Sequence, residues 1–475
     1  MSSYETAIAR MYALGHELAQ TPSHKFDLAH MRVLLHALDN PERRFPGVLI
    51  AGTNGKGSTA ATLASILLAS GLQTGLYTSP HLSRINERIQ IGGGRDSFRQ
   101  ISDDDFALLH ELVDRTAERL VSEGELPWHP SFFEMLTGMA FEYFARRKVD
   151  IAVLEVGMGG RLDATNVIEP RVSVITDISL DHQKFLGDTV AEIAGEKAGI
   201  IRSGGVVVTL PQQPQANDVI GRTIMDLGAR AVNAVPYVPP VSPASAEYLS
   251  AGTLSTNMKK AVSKYPLQVM GREITVETPL IGRHQLRNVA LAIAAAEELG
   301  RQGFPVTAES IEDGIRETNW PGRFQVLPAA KGALEKGGPE HGGPEHDAPE
   351  YVFDVAHNPA GAWALRSTLS AGYPGRPLTF IFGAMRDKAI GEMAEILFPL
   401  AEHVITTVAD NPRSASVDEI RMAASRTSVP IQEAADVAAA IAMARTSARP
   451  DTVVVITGSI YIVGEAMRVL GVRIQ

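Results

Sequence analysis

The sequence predicts an α/β protein of two domains, each a parallel sheet covered by helices. Three observations predict it. Apolar runs of strand length alternate with helical patterns along almost all of the 475 residues, a length that exceeds one ordinary core. The runs "FPGVLIAG", "VDIAVLEVG" and "RVSVITDIS" are too continuously apolar for a sheet wet on one face. After residue 350 the pattern restarts with "YVFDVA", "LTFIFGAM", "HVITTVAD" and "DTVVVITGS" between Ala-rich helices.

Apolar residues make up 45% of the chain, enough for full-sized cores. The net charge is 44 − 54 = −10, which excludes a nucleic-acid binder held by general positive charge. Cysteine is absent, which removes disulfides, thiolate metal sites and thiol nucleophiles and suits a reducing compartment. The N-terminal "MSSYETAIARMYALGHELAQ" reads as a charged helix without the apolar core of a signal peptide. No stretch approaches the roughly 18 apolar residues of a membrane span. The expectation is a cytoplasmic protein that engages neither membrane nor nucleic acid.

The join between domains is expected at "NWPGRFQVL", where Pro321 and Gly322 break the helical pattern, giving units 1–320 and 321–475. Just beyond, residues 337–341 repeat as 342–346 in "KGGPEHGGPEHDAPE". Two His beside two Glu suggest a metal site, but so Gly/Pro-rich a stretch reads first as a flexible, solvated insertion at 329–349. A second segment, "YVPPVSPASAEYL", reads as an irregular insertion.

The first chemical motif is "AGTNGKGSTAA". A standard phosphate loop has four residues between its first glycine and the Gly-Lys-[Ser/Thr]. Here Gly52 is followed by Thr53, Asn54, Gly55, Lys56, Gly57 and Ser58, so the spacer is shorter and a glycine separates lysine from hydroxyl. The loop still follows a buried strand and opens a helix, so free N–H groups and the helix dipole face an anion. Lys56 supplies a point charge for terminal phosphates and Ser58 a further hydrogen-bonding group. A glycine turn with a serine cap is the plainer alternative. Nucleotide binding alone leaves open a kinase, an ATPase or a ligase.

Seven further motifs follow in order: "YTSPHL", "LEVGMGGRLDATN", "DHQKFLGDTVAEIAGEKAGI", "PGRFQV", "DVAHNP", "FGAMRDK" and "GSIYIVGE". Together the eight resemble the folylpolyglutamate synthase and dihydrofolate synthase family, a branch of the Mur ligases, from about residue 20 to 467. The resemblance implies a P-loop ATPase domain and a smaller Rossmann-like C-terminal domain. It implies an ATP-dependent amide ligase joining L-glutamate to dihydropteroate and, at the same site, to tetrahydrofolate through an acyl phosphate, in a monomer, with a monofunctional enzyme of either kind as the alternative. Such chemistry needs charge neutralised on the transferring phosphoryl group and three substrates positioned.

Residue by residue, the resemblance makes Ser79, Glu155 and His182 magnesium ligands, for two ions. Glu155 ends a strand after four apolar residues and needs a cationic partner; a salt bridge to Arg161 also meets that need. Imidazole is an unusual magnesium ligand, and His182 read alone suits a packed core histidine. Lys197, among Ala and Ile, reads alone as a snorkelling surface lysine. The resemblance implies instead a carbamylated lysine that serves as an anionic ligand. "SFFE", Ser131, Phe132, Phe133 and Glu134, is a good capping box; by resemblance it lines the pterin pocket with Leu162, Asp163 and Ala164. Arg323, Asp354 and Asn288 match residues that bind ATP, with His357 and Asn358 completing the "DVAHNP" motif. Read alone, Arg323 is a linker arginine and Asn288 a helix cap.

Two rivals remain. A cell-wall ligase acting on a UDP-muramoyl substrate carries a whole UDP-binding domain before its phosphate loop, and only 51 residues precede Gly52. A non-catalytic nucleotide-binding regulator has no need of Lys56, Glu155, His182 and Lys197 together.

Overall fold

The computed structural model describes residues 3–15, 27–94, 96–240, 262–329, 349–449 and 451–473. The Gly/Pro-rich repeat and most of "YVPPVSPASAEYL" lie outside them. The first sheet contains β1 (Gly47–Ala51), β2 (Thr74–Tyr77), β3 (Ile89–Gly93), β4 (Asp96–Gln100), β5 (Ile151–Glu155), β6 (Pro170–Ile175), β7 (Val206–Thr209) and β8 (Arg230–Asn233). Its order is β4-β3-β2-β5-β1-β6-β7-β8. A separate hairpin follows, β9 (Ser263–Val269) with β10 (Arg272–Thr278). The second sheet contains β11 (Gln325–Leu327), β12 (Glu350–Phe353), β13 (Leu378–Phe382), β14 (His403–Thr406), β15 (Ile431–Glu433) and β16 (Val453–Thr457). Its order is β11-β12-β16-β13-β14-β15.

The α/β class therefore stands, with one correction: neither sheet is wholly parallel. β3 and β4 run antiparallel at one edge of the first sheet, and β11 runs antiparallel at the edge of the second. For the β3–β4 pair the reason is local. "IGGGRD" supplies Gly94 at φ +65°, a turn tight enough to reverse the chain where no crossover helix intervenes.

The central strands are buried on both faces. On β1, Leu49 and Ala51 face one core while Val48 and Ile50 face the other. On β16, Val453 and Val455 alternate with Val454 and Ile456 in the same way. Continuous apolar runs are the sequence consequence of such two-sided cover.

The helix Lys56–Ala69 packs between β1 and the helices Arg283–Arg301 and Ala308–Arg316. Its Leu63, Ile66 and Leu67 are wholly buried, each worth about 1.5–3 kcal/mol. Gly314 lets the last of these helices approach closely, since a Cβ there would lie 2.3 Å from Ile66 Cα.

This topology sets where a site can form. β5, β1 and β6 are adjacent and parallel, so the loops after them converge at one end of the first sheet. β12, β16 and β13 do the same in the second. Both sets of loops line one cavity of about 560 Å³.

Candidate active site

The phosphate loop connects β1 to the helix Lys56–Ala69. Three of its glycines have identifiable reasons. Gly52 lies against Thr176, whose Oγ1 would sit 1.8 Å from a Cβ. Gly55 takes φ +91°, and the Asn288 side chain fills the space where its Cβ would be. Gly57, the glycine that makes the spacing unusual, is covered by the Trp320 ring, 2.8 Å from a would-be Cβ.

Gly55 is the helix N-cap and brings no capping side chain. The first-turn N–H groups thus lack a side-chain acceptor at the cap, as anion binding at a helix start requires. A serine cap is excluded, because Ser58 lies within the first turn and lines the cavity. Thr53 is held by its N–H to the Asp177 carbonyl at 2.9 Å and its Oγ1 to the Ser179 carbonyl at 3.0 Å. Lys56 Nζ donates to the Thr53 carbonyl at 3.2 Å.

Glu155 ends β5 and is buried. The expected alternative partner does not pair with it: Arg161 binds Glu196 at 2.8 Å. Glu155 Oε2 accepts the Ser79 N–H at 3.2 Å. Burial pushes its pKa up to about 6, against the pull of Lys56 and Arg323. Ser79 Oγ is buried with no hydrogen-bond partner. An orphaned hydroxyl beside a desolvated carboxylate fits an oxygen-seeking divalent cation whose remaining ligands are water and phosphate. Among the described residues no three His, Asp or Glu surround a common metal position.

Lys197 is not a surface lysine. It is buried, and its Nζ donates to the Gly52 carbonyl at 2.7 Å. The helix Val190–Ala198 starts at a capping box on Thr189 and Glu192, which directs its last turn under the phosphate loop. Burial, then the nearby Lys56 charge, lower the Lys197 pKa to about 7.

His182 is no packed core residue either. It lines the cavity at φ +52°, and Lys388 Nζ lies 3.4 Å from its Nε2. Burial and Lys388 push its pKa down to about 3, so the ring is neutral.

The capping box at Ser131 is present: Ser131 Oγ accepts the Glu134 N–H, and Glu134 Oε2 accepts the Ser131 N–H at 2.8 Å. Glu134 Oε1 also meets His30 Nδ1 at 3.1 Å. Ser131, Phe133, Glu134, Leu162, Asp163 and Ala164 all line the cavity. Phe132 does not. It is the correction here, because adjacent residues at a helix start diverge by about 100°. Phe132 packs under the Arg88 guanidinium, 5.4 Å away, and lines a second, smaller cavity. The Asp163 carboxylate is consumed by its own loop, accepting N–H groups from Gly157, Met158 and Thr165 at 2.9–3.0 Å.

The second domain supplies the opposite wall. Asp354 accepts the Phe324 N–H at 3.0 Å and the Ala356 N–H at 2.9 Å, tying the "PGRF" turn to β12. Burial raises its pKa to about 6, offset in part by Arg323. Arg323 lines the cavity with its guanidinium 5.8 Å from the Trp320 ring centre. Asn358 caps the helix Pro359–Gly372 and donates to Asn54 Oδ1 at 3.0 Å. His357 Nδ1 lies 2.9 Å from the Val355 carbonyl.

Asn288 is a correction of another kind. The helix Arg283–Arg301 is capped at Gly282, so Asn288 lies inside it, buried, with its Nδ2 bound to Gln285 Oε1 at 2.9 Å.

The cavity thus unites every predicted residue except Phe132 and Asn358, together with Asp181 and Lys388, which sequence reasoning passed over. Lys388 stood within the quoted "FGAMRDK", but nothing local marks its partner.

A phosphate loop, a desolvated carboxylate beside an orphan hydroxyl and loops of the second sheet share one cavity, and among the enzymes such a loop allows the matching families select a two-domain, ATP-dependent ligase. The Mur ligase middle domain family matches residues 131–296, and the Mur ligase glutamate ligase domain family matches residues 343–460. The dihydrofolate synthase/folylpolyglutamate synthase of Mycobacterium tuberculosis is 33% identical over 98% of this chain and 94% of its own. The "Probable bifunctional folylpolyglutamate synthase/dihydropteroate synthase" of Haloferax volcanii is 34% identical over 92% of this chain; the chain spans about half of that relative, 47%. Among solved structures, Mycobacterium tuberculosis folylpolyglutamate synthase complexed with ADP superposes with a TM-score of 0.83 at 31% identity, covering 100% of both chains. The chain belongs to the folylpolyglutamate synthase and dihydrofolate synthase family of Mur ligases.

Proposed function

We propose that the chain joins L-glutamate to dihydropteroate, forming dihydrofolate, and extends tetrahydrofolate with further glutamates at the same site. ATP phosphorylates the acceptor carboxylate and ADP leaves; the glutamate amine attacks the acyl phosphate, and inorganic phosphate departs as the amide forms. The observation that carries this reading is the single cavity running from the phosphate loop to the Phe133 turn. It brings a terminal phosphate and an extended acceptor to one place, where proximity replaces two unfavourable encounters.

In this reading Thr53, Asn54, Gly55, Lys56, Gly57, Ser58 and Asn288 bind ATP, with Arg323 and Asp354 reaching it from the second domain. The Lys56 and Arg323 charges offset charge on the transferring phosphoryl group. Ser79, Glu155 and His182 would hold magnesium, which polarises phosphate oxygens when bound. Lys197, with a pKa lowered to about 7, presents enough neutral amine to take up CO₂, which supports its carbamylation as a further oxygen ligand. Ser131, Phe133, Glu134, Leu162, Asp163 and Ala164 contact the pterin. The working unit is a monomer, divided at 320/321.

Phosphate release is measured with magnesium-ATP and glutamate, comparing dihydropteroate with tetrahydrofolate and identifying products by mass. Release with both, each gaining one glutamyl unit, is the expected result. Release with one alone restricts the assignment to a single activity, and silence with both despite ATP binding overturns it.

A further inference from the structure

We infer that Asp181 is the charged contact through which the second domain docks on the nucleotide site, beside the apolar contact of Leu82 with the second core, with Lys388 as its counter-charge, and that this contact sets the geometry of the phosphate loop and of His182. Asp181 lies in the loop after β6. Its Oδ1 accepts Lys388 Nζ at 2.7 Å, its Oδ2 accepts Asn358 Nδ2 at 3.1 Å, and His357 Nε2 lies 3.6 Å from Oδ2. All three partners come from the loops after β12 and β13. One carboxylate of the first domain therefore gathers three groups of the second.

The contact is desolvated and charge-balanced. The Asp181 and Lys388 side chains are 7% and 8% exposed. Lys388 also lies 3.9 Å from Asp387, which takes Arg413 at 2.8 Å, so acid and base alternate along the row. Exposed ion pairs contribute little, but a buried pair that loses one member leaves an uncompensated charge.

Two bonds carry the docking into the site. Asn358 donates at once towards Asp181 and to Asn54 of the phosphate loop. Lys388, an obligate donor, stands 3.4 Å from His182 Nε2. The His182 ring is thus oriented from the other domain, while its own backbone is held at φ +52° by the hydrogen bond of its N–H to Asp181 Oδ1 at 2.9 Å. Asp181 and Lys388 are positioning residues here: they act through Asn54 and His182.

The absence of cysteine makes the test direct. Met225 and Met422 are exposed, one in each domain, and Met225→Cys with Met422→Cys accept a dye pair. Distances between domains and steady-state kinetics are then compared for Asp181→Asn, Lys388→Met, the double variant and Lys388→Arg. Each of the first two should broaden the distance distribution and lower kcat by about 10²-fold, the scale of a 1 Å misplacement, with KM for ATP much less affected. The double variant should fall no further than the worse single, and Lys388→Arg should recover most of both readouts. A fall in kcat with unchanged distances would overturn the inference, as would losses that multiply in the double variant or variants indistinguishable from wild type. The kinetic arm rests on the ligase reading; the distance arm does not, so a wild type without turnover would sink that reading while the dye distances still decided this one.

Discussion

Lys197 donates to the carbonyl of Gly52, 145 positions away in sequence, across 2.7 Å, with its amine buried. The bond fixes the amine directly beneath the turn that begins the phosphate loop. An ammonium there faces Lys56 as a like charge, and both burial and that repulsion favour the neutral amine. Conversion to a carbamate would replace the repulsion with attraction. Protein equilibrated with ¹³C-bicarbonate should show one slowly exchanging carbamate carbon signal, absent from Lys197→Ala. The population should rise as pH rises through 7, because only the neutral amine reacts.

Burial of the Glu155 carboxylate carries a cost. Its folded-state pKa is raised from 4.5 to about 6, so the native state favours the proton. The stabilisation this provides is present below pH 4.5 and is lost as pH rises through about 6. Glu155→Gln should therefore unfold at higher temperature than wild type at pH 7.5, by up to roughly 2 kcal/mol, and show no such gain at pH 4.5. Calorimetry at the two pH values measures this. Magnesium-nucleotide binding should weaken in wild type below pH 6 and be largely lost in the variant.

Lys56→Ala should lower product formation by at least about 10²-fold, the usual cost of removing one preorganised charge at a transferring group. Circular dichroism should be unchanged, since among the described residues the lysine's hydrogen bond is to the Thr53 carbonyl of its own loop. Wild-type turnover in this variant would refute the loop assignment.

Gly314→Ala reverses an ordinary rule. Alanine normally gains up to about 1 kcal/mol over glycine inside a helix. Here its Cβ would meet the backbone of the phosphate-loop helix at 2.3 Å from Ile66 Cα, and overpacking of that kind costs about 1–3 kcal/mol. A thermal melt should fall by several degrees, and a rise would show that the two helices separate freely.

What sequence reasoning captured, it captured where the cause is local. The phosphate loop, the strand-terminal Glu155 and the capping box at Ser131 each lie within a few residues of the atoms that explain them. Two of the failures have the opposite property. Asp181 and Lys388 are 207 positions apart, and only the facing of two sheets makes them partners. Phe132 and Phe133 are chemically identical, and which one enters the cavity depends on the helix's rotation against the sheet. Asn288 looked like a cap because Gly282, the true cap, carries no side chain to announce itself. The antiparallel edge was readable in principle: three consecutive glycines, Gly92 to Gly94, mark a reversal rather than a crossover.

The helix that begins at Lys56 is buried along almost its whole length, between a sheet and two other helices. It cannot be loosened without opening the first domain's core, so occupancy of the loop and integrity of that core belong to one equilibrium. A bound nucleotide then raises the melting temperature of the whole first domain, by RT ln(1 + [L]/Kd) in free energy. Thermal denaturation thereby ranks nucleotides and inhibitors for this protein without any need for turnover.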